Sequence, residues 1–176
     1  MELRLIGDPI LRKRAKKVNN FDNIIKELTE EMFSTMYLYE GVGLAAPQIG
    51  VSLRLFIMDS REENGKKVVI NPEIIEFLGE EVSEEEGCLS IPEIFEDVVR
   101  PEGVKVKYQD LEGKLIEEEL HGYQARIFQH ENDHLDGILF TDKLSLLKKT
   151  RIKKELNNLT QKGKKRSQEL GSQVRS

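Results

Sequence analysis

At 176 residues the chain is long enough to bury a core as one domain. Charged residues make up 34% and aromatics 6%, with no Trp, yet apolar residues recur in short periodic runs, which excludes a disordered chain. No apolar run approaches the roughly 18 residues a bilayer span needs, residues 1–7 carry no secretory or transit leader, and a single cysteine, Cys88, excludes an internal disulfide. A cytoplasmic protein without a membrane segment is expected.

Charge is spread unevenly. Residues 148–176 hold ten Lys/Arg against two Glu, a net charge of +8, which leaves 17 Lys/Arg against 30 Asp/Glu, or −13, in residues 1–147. The expected division is therefore an acidic domain over 1–147 and a basic C-terminal helix and tail over 148–176. A solvated helix that frays into a disordered end accounts for such a tail. The sharper reading is an arm that touches an anionic partner such as RNA.

Residues 3–18 read as an opening segment turned by Asp8-Pro9. Asp22 suits an N-cap, and Ile25, Leu28, Met32, Met36 and Tyr39, at steps of three or four, predict a helix to about Glu40. Gly41-Val42-Gly43-Leu44-Ala45-Ala46-Pro47-Gln48-Ile49-Gly50 differs in kind, because its small residues leave a backbone that can approach something closely. It lacks the Gly-Lys-Ser/Thr ending of a phosphate loop. Read alone it is either a structural turn or a binding mouth, and Gln48 is its one side-chain amide.

Strand-like runs follow at residues 53–58, 67–70 (closed by Asn71-Pro72) and 74–78, with a hairpin at Asn64-Gly65. Residues 104–108 and 115–120 flank Glu112-Gly113 as another hairpin. Between them lies Glu84-Glu85-Glu86-Gly87-Cys88-Leu89-Ser90-Ile91-Pro92, where Pro92 is expected to prevent a regular ladder. A lone cysteine is most often a buried, inert thiol. The fold class expected is α+β, antiparallel strands packed around a central helix, with a further C-terminal helix.

The central helix carries Gln129-His130-Glu131-Asn132-Asp133-His134-Leu135, a His-Glu-x-x-His pattern. His130 and His134 are one turn apart on one face and can chelate one divalent cation. Glu131 lies about a hundred degrees round the helix, so it reaches a water at the ion without being a ligand. Tyr123 and Ile127 precede His130 on the same face and supply an apolar wall. The bland alternatives are chance in a Glu-rich chain and structural histidines capped by carboxylates. A third ligand is needed for a metal site. The metzincin continuation would place it at 140, where Phe140 stands. Glu155 falls in the Lys-rich tail, and His121 precedes the helix. Cys88 is the better candidate, since a thiolate and two imidazoles leave a fourth position open.

Three stretches, Gly41-Val42-Gly43-Leu44-Ala45-Ala46-Pro47-Gln48, Glu86-Gly87-Cys88-Leu89-Ser90 and Gln129-His130-Glu131-Asn132-Asp133-His134-Leu135, match in order the motifs of the peptide deformylases. The resemblance runs from the opening segment to about Leu147, and the helix after it resembles the form with a C-terminal helix found in Gram-negative and related bacteria. Beyond Gln161 the tail is longer and more basic than in a minimal member. The resemblance implies hydrolytic removal of the formyl group from formyl-methionine of nascent polypeptides, releasing formate. It implies metal ligation by Cys88, His130 and His134, with Glu131 as general acid/base. Gln48, through its amide, and Leu89, through its backbone N–H, would stabilise the oxyanion. It implies too an ion pair of Glu40 with Arg100 that supports the mouth from behind.

A tight mouth at Gly41, Val42 and Gly43 suits formyl, the smallest acyl group, and Val42, Tyr123 and Ile127 are the candidates for the methionine pocket. The family's ion is generally Fe(II), often replaced by nickel, cobalt or zinc; ligand softness alone does not choose among them. Nascent formyl-methionyl peptides are the expected partners, with the ribosome reached through the basic tail and neither DNA nor membrane involved. Two other classes compete. A zincin-type endopeptidase is opposed by Phe140 and Cys88, and a non-catalytic RNA-associated protein would use the tail alone. For the tail itself, Leu144, Leu147, Ile152, Leu156 and Leu159 predict a docked helix to about residue 159, which Gly163 is expected to end.

Overall fold

The computed structural model describes the backbone of residues 1–175 and the side chains of residues 1–171. Ser176, the last residue of the expected basic segment, lies outside the described residues. Strand β2 (Leu55–Asp59) organises the interior, flanked antiparallel by β1 (Gly43–Ala45) and β3 (Lys66–Cys88). Its residues Leu55, Phe56, Ile57 and Met58 are all fully buried, so both faces of the strand are covered. Leu55 and Ile57 join Met32 and Met36 of helix α1 (Asn23–Leu38), while Phe56 and Met58 join Ala125 and Phe128 of helix α2 (Gly122–Leu135). That is the alternation of a strand whose successive side chains point to opposite faces. Asp22 caps α1 as expected, accepting from the N–H groups of Ile24 and Ile25.

The sheet continues through β4 (Ile91–Gln109) to β5 (Leu115–His121), in the order β1-β2-β3-β4-β5 and antiparallel throughout. The expected antiparallel α+β fold is the one observed, with helices on both sides of the sheet. One local expectation is corrected. Asn71-Pro72 does not close a strand: β3 runs on, because a register shift between Ile70 and Glu73 takes up the residues that cannot pair, with Asn71 at φ 51. At Pro92 the ladder is irregular, as expected, since that residue lies in the stretch between the Glu86–Glu96 and Cys88–Ile91 pairs, although β4 starts at Ile91. Further shifts at Ile74/Glu76 and Leu78/Glu81 bend this long hairpin. Its tip, Leu89-Ser90, meets the Gly-rich stretch after α1: a Cβ on Gly41 would stand 2.9 Å from Leu89 Cδ1.

Helix α3 (Leu146–Arg175) corrects the reading of the tail. Ile152 is buried and Leu156 and Leu159 pack against the cluster of Ile6, Ile91, Val98 and Phe140, but Leu147 points to solvent. Gly163 does not end the helix. It is buried where α3 crosses the opening segment, and a Cβ there would fall 1.9 Å from the Ile6 carbonyl oxygen. Gly7, at φ 103, faces the Thr160 carbonyl across the same crossing, so two glycines permit two backbones to touch. Arg166 then pairs with Glu2 at 3.0 Å. Among the described residues no helix is long and apolar enough to cross a membrane.

Candidate metal centre

Helix α2 leaves β5 with Gly122 at φ 58 and stops at Gly137, at φ 74, whose N–H bonds back to the His134 carbonyl. Within it Ala125 and Phe128 anchor one face in the core, which turns His130, Glu131 and His134 toward the hairpin tip, all three buried. Cys88, the last residue of β3, closes the group. One ligand atom from each of Cys88, His130 and His134 lies within 4.8 Å of the others. Cys88 Sγ is 3.3 Å from His134 Nε2.

Glu86 orients this set. Its carboxylate lies 2.8 Å from His130 Nδ1, which places the ring proton there and leaves Nε2 for an ion. The same carboxylate accepts two bonds from Arg100, at 2.6 and 2.9 Å, and one from Arg126 at 2.6 Å. Burial pushes the Glu86 carboxyl up, but its bonds to His130 and Arg100 outweigh that and hold it at about 2. A thiolate and two imidazoles, one braced by a carboxylate, are a donor set for one first-row divalent ion. The geometry fits such an ion.

Glu131 lies beside this set rather than within it. Its Oε1 stands 3.8 Å from His130 Nε2, its Oε2 is buried without a hydrogen-bond partner, and burial raises its pKa to about 7. Gly43 makes room for it: a Cβ there would meet Glu131 Cγ at 2.8 Å. Gln48, also buried, accepts from Ala45 N–H through Oε1 at 2.9 Å. That fixes its amide, whose Nε2 donates to Ser90 Oγ at 3.1 Å and faces Cys88 Sγ at 3.4 Å. Val42 and Ile127 pack in one apolar cluster, whereas Tyr123 is half exposed at the start of α2. Phe140 stacks on the His130 ring, centroids 6.0 Å apart.

One expected contact is absent and several partners went unread. Arg100 is paired with Glu86 and with Asp133 (2.9 Å), not with Glu40. Glu40 is exposed at φ 58 just past α1, and the buried Glu86 carboxylate answers the guanidinium instead. Sequence reasoning missed Glu86, Ser90, Arg126 and Asp133 as partners at the site. A signal existed, because Arg126, His130 and Asp133 fall at i, i+4 and i+7 on one helix face.

The family model described as polypeptide deformylase matches residues 1–150. A peptide deformylase of Thermotoga sp. strain RQ2 is 53% identical over 157 residues, which is 89% of this chain and 94% of that protein. The crystal structure of peptide deformylase from Thermotoga maritima superposes with a TM-score of 0.79 at 56% identity, covering 82% of this chain and 97% of that one. The peptide deformylase from Thermus thermophilus gives 0.84 at 46% identity, covering 92% and 98%. Sequence motifs, buried donor set and whole-chain similarity agree, and the chain belongs to the polypeptide deformylase family.

Proposed function

We propose that Cys88, His130 and His134 hold one divalent ion, Fe(II) in the native protein, and that the chain hydrolyses the formyl amide of nascent formyl-methionyl peptides beside it. Removal of the N-terminal formyl group is the activity of the family to which the chain belongs. The observation that carries the reading is a three-donor set within 4.8 Å next to a buried carboxylate raised to about 7. Such an ion, when bound, supplies Lewis acidity and makes a nearby water more acidic.

The remaining chemistry belongs to the chain's own groups. Glu131 accepts a proton from the attacking water and returns it to the leaving amine, which its burial beside the donor set suits. The Gln48 amide and the Leu89 N–H receive the charge that develops on the formyl oxygen; removal of one such donor typically slows a reaction about a hundred- to a thousandfold. Gly41, Val42 and Gly43 form a mouth too narrow for larger acyl groups, and Val42, Ile127 and Tyr123 hold the methionine side chain. Formate release from formyl-Met-Ala against acetyl-Met-Ala, with anaerobic metal analysis, tests the reading. Equal turnover of both substrates, or none with the ion bound, overturns it.

A second reading concerns α3. Lys153, Lys154, Lys162, Lys164 and Lys165 are all exposed on a helix docked to an acidic body. They suit a salt-sensitive contact with ribosomal RNA that keeps a cytoplasmic enzyme near emerging chains. Changing these lysines to glutamine leaves α3 docked, and is expected to weaken ribosome binding at low salt while sparing dipeptide turnover. Unchanged, salt-insensitive binding removes the idea.

A further inference from the structure

Outside the metal centre, Arg61 combines an uncommon backbone conformation with a set of side-chain contacts. It sits in the loop between β2 and β3 at φ 64, a left-handed conformation that a side chain disfavours. Its guanidinium spans two backbone carbonyls: Nη1 donates to Asp59 O at 2.7 Å and Nη2 to Gly41 O at 3.4 Å. Its face lies over the Tyr37 ring, 4.8 Å from the centroid, and Tyr37 Oη donates to Asp59 Oδ2 at 2.7 Å. Asp59 closes the figure from the other side, with Oδ1 accepting from Arg61 N–H at 2.9 Å and its own N–H donating to Val42 O at 2.8 Å.

The last turn of α1, the end of β2 and the loop after it thus converge on the carbonyls of Gly41 and Val42. Gly43, the next residue, is in contact range of Glu131. We propose that Arg61, held by Tyr37 and Asp59, is a positioning residue that fixes the Gly41 carbonyl, next to the Val42 carbonyl held by Asp59 N–H, and so sets the width of the mouth that receives the formyl-methionyl end. The proposal rests on the deformylase reading of the site. The rim it acts on is distinct from the metal ligands, so its loss acts on substrate binding and leaves the ion in place.

The test separates side chain from backbone. Arg61→Gly removes the guanidinium while relieving the left-handed strain, so the holoenzyme's thermal midpoint should hold or rise. KM for formyl-Met-Ala should rise about fivefold, the equivalent of one lost hydrogen bond, with kcat and metal content unchanged. Arg61→Lys keeps the charge but cannot reach both carbonyls, and should fall between the two. Tyr37→Phe keeps the ring and frees Asp59, with a smaller rise in KM. A wild-type KM in Arg61→Gly overturns the proposal, as does a parallel fall in kcat and thermal midpoint, which marks a merely structural role. Wild-type turnover of formyl-Met-Ala is measured alongside; its absence counts against the deformylase reading itself, separately from Arg61.

Discussion

Gly43 and Glu131 share one space: a Cβ built on Gly43 would lie 2.8 Å from Glu131 Cγ and 2.9 Å from Oε1. The obstacle is a side chain rather than backbone, so an added methyl moves the carboxylate instead of breaking the fold. Gly43→Ala should leave metal content and thermal midpoint near wild type and lower kcat by roughly ten- to a hundredfold, the scale of a misplaced catalytic group. Unaltered kcat would mean that Glu131 tolerates displacement and that its position is not critical.

Glu131 handles protons and is not a ligand in this reading. Glu131→Gln keeps the shape and removes the base, so turnover should vanish while elemental analysis finds the ion still bound. Loss of the ion in that variant would contradict the assignment.

Cys88→Ser exchanges a soft thiolate for a hard hydroxyl. Metal affinity should fall, and the sulfur-to-metal absorption band of the cobalt-substituted protein should disappear. Persistence of that band places the sulfur outside the coordination shell.

Glu86 gives a stability prediction with a definite sign. Its folded pKa is depressed from 4.5 to about 2, so its contribution is fully present above about 4.5 and is lost as pH falls toward about 2. Glu86→Gln leaves Arg100 and Arg126 buried with less compensating charge, which should cost about 3–5 kcal/mol. It also frees the His130 ring, and metal affinity should drop about ten- to a hundredfold. Urea unfolding at pH 7 and pH 3, with a metal competition assay at pH 7, measures both. A variant as stable and as metal-tight as wild type removes Glu86 from its bracing role.

Gly163 offers a test in which two effects have opposite sign. In a free helix, alanine is favoured over glycine by about 1 kcal/mol. In the docked helix its Cβ would strike the Ile6 carbonyl, at 1.9 Å, and overpacking typically costs about 1–3 kcal/mol. Gly163→Ala should therefore lower the unfolding midpoint. A raised midpoint would show α3 undocked in solution.

The parts of this fold that were legible in the chain are those set by local rules. Asp22 announced a helix start, Asn64-Gly65 and Glu112-Gly113 announced turns, and His130 with His134 announced a shared face. What escaped depends on partners distant in sequence. Glu86 sits in a run of glutamates that reads as a solvated charge, and only the bent hairpin carries it inward to Arg100, Arg126 and His130. Gly163 reads as a helix stop by propensity, yet contact with Ile6 decides otherwise, since tertiary packing overrides a term of that size. The Glu40–Arg100 pairing failed for a related reason: Arg100 is buried and takes the carboxylates of buried Glu86 and half-buried Asp133, while Glu40 stays in water.

The crossing of α3 over the opening segment also fixes when the molecule can be finished. Arg4 N–H bonds to the Gln48 carbonyl and Ile6 N–H to the Ser90 carbonyl, so this strip of backbone buttresses the segments that carry Gln48 and Leu89. Its cover is Gly163, and the clasp beside it joins Glu2 to Arg166 across 164 positions. A chain made from its N-terminus can bring those residues together only after synthesis has passed Arg166 and the helix has left the ribosome. Until then residues 4–7 wait with an uncovered edge. The protein is thus assembled under a late-closing latch, and a newly made copy completes this support only once Arg166 has emerged.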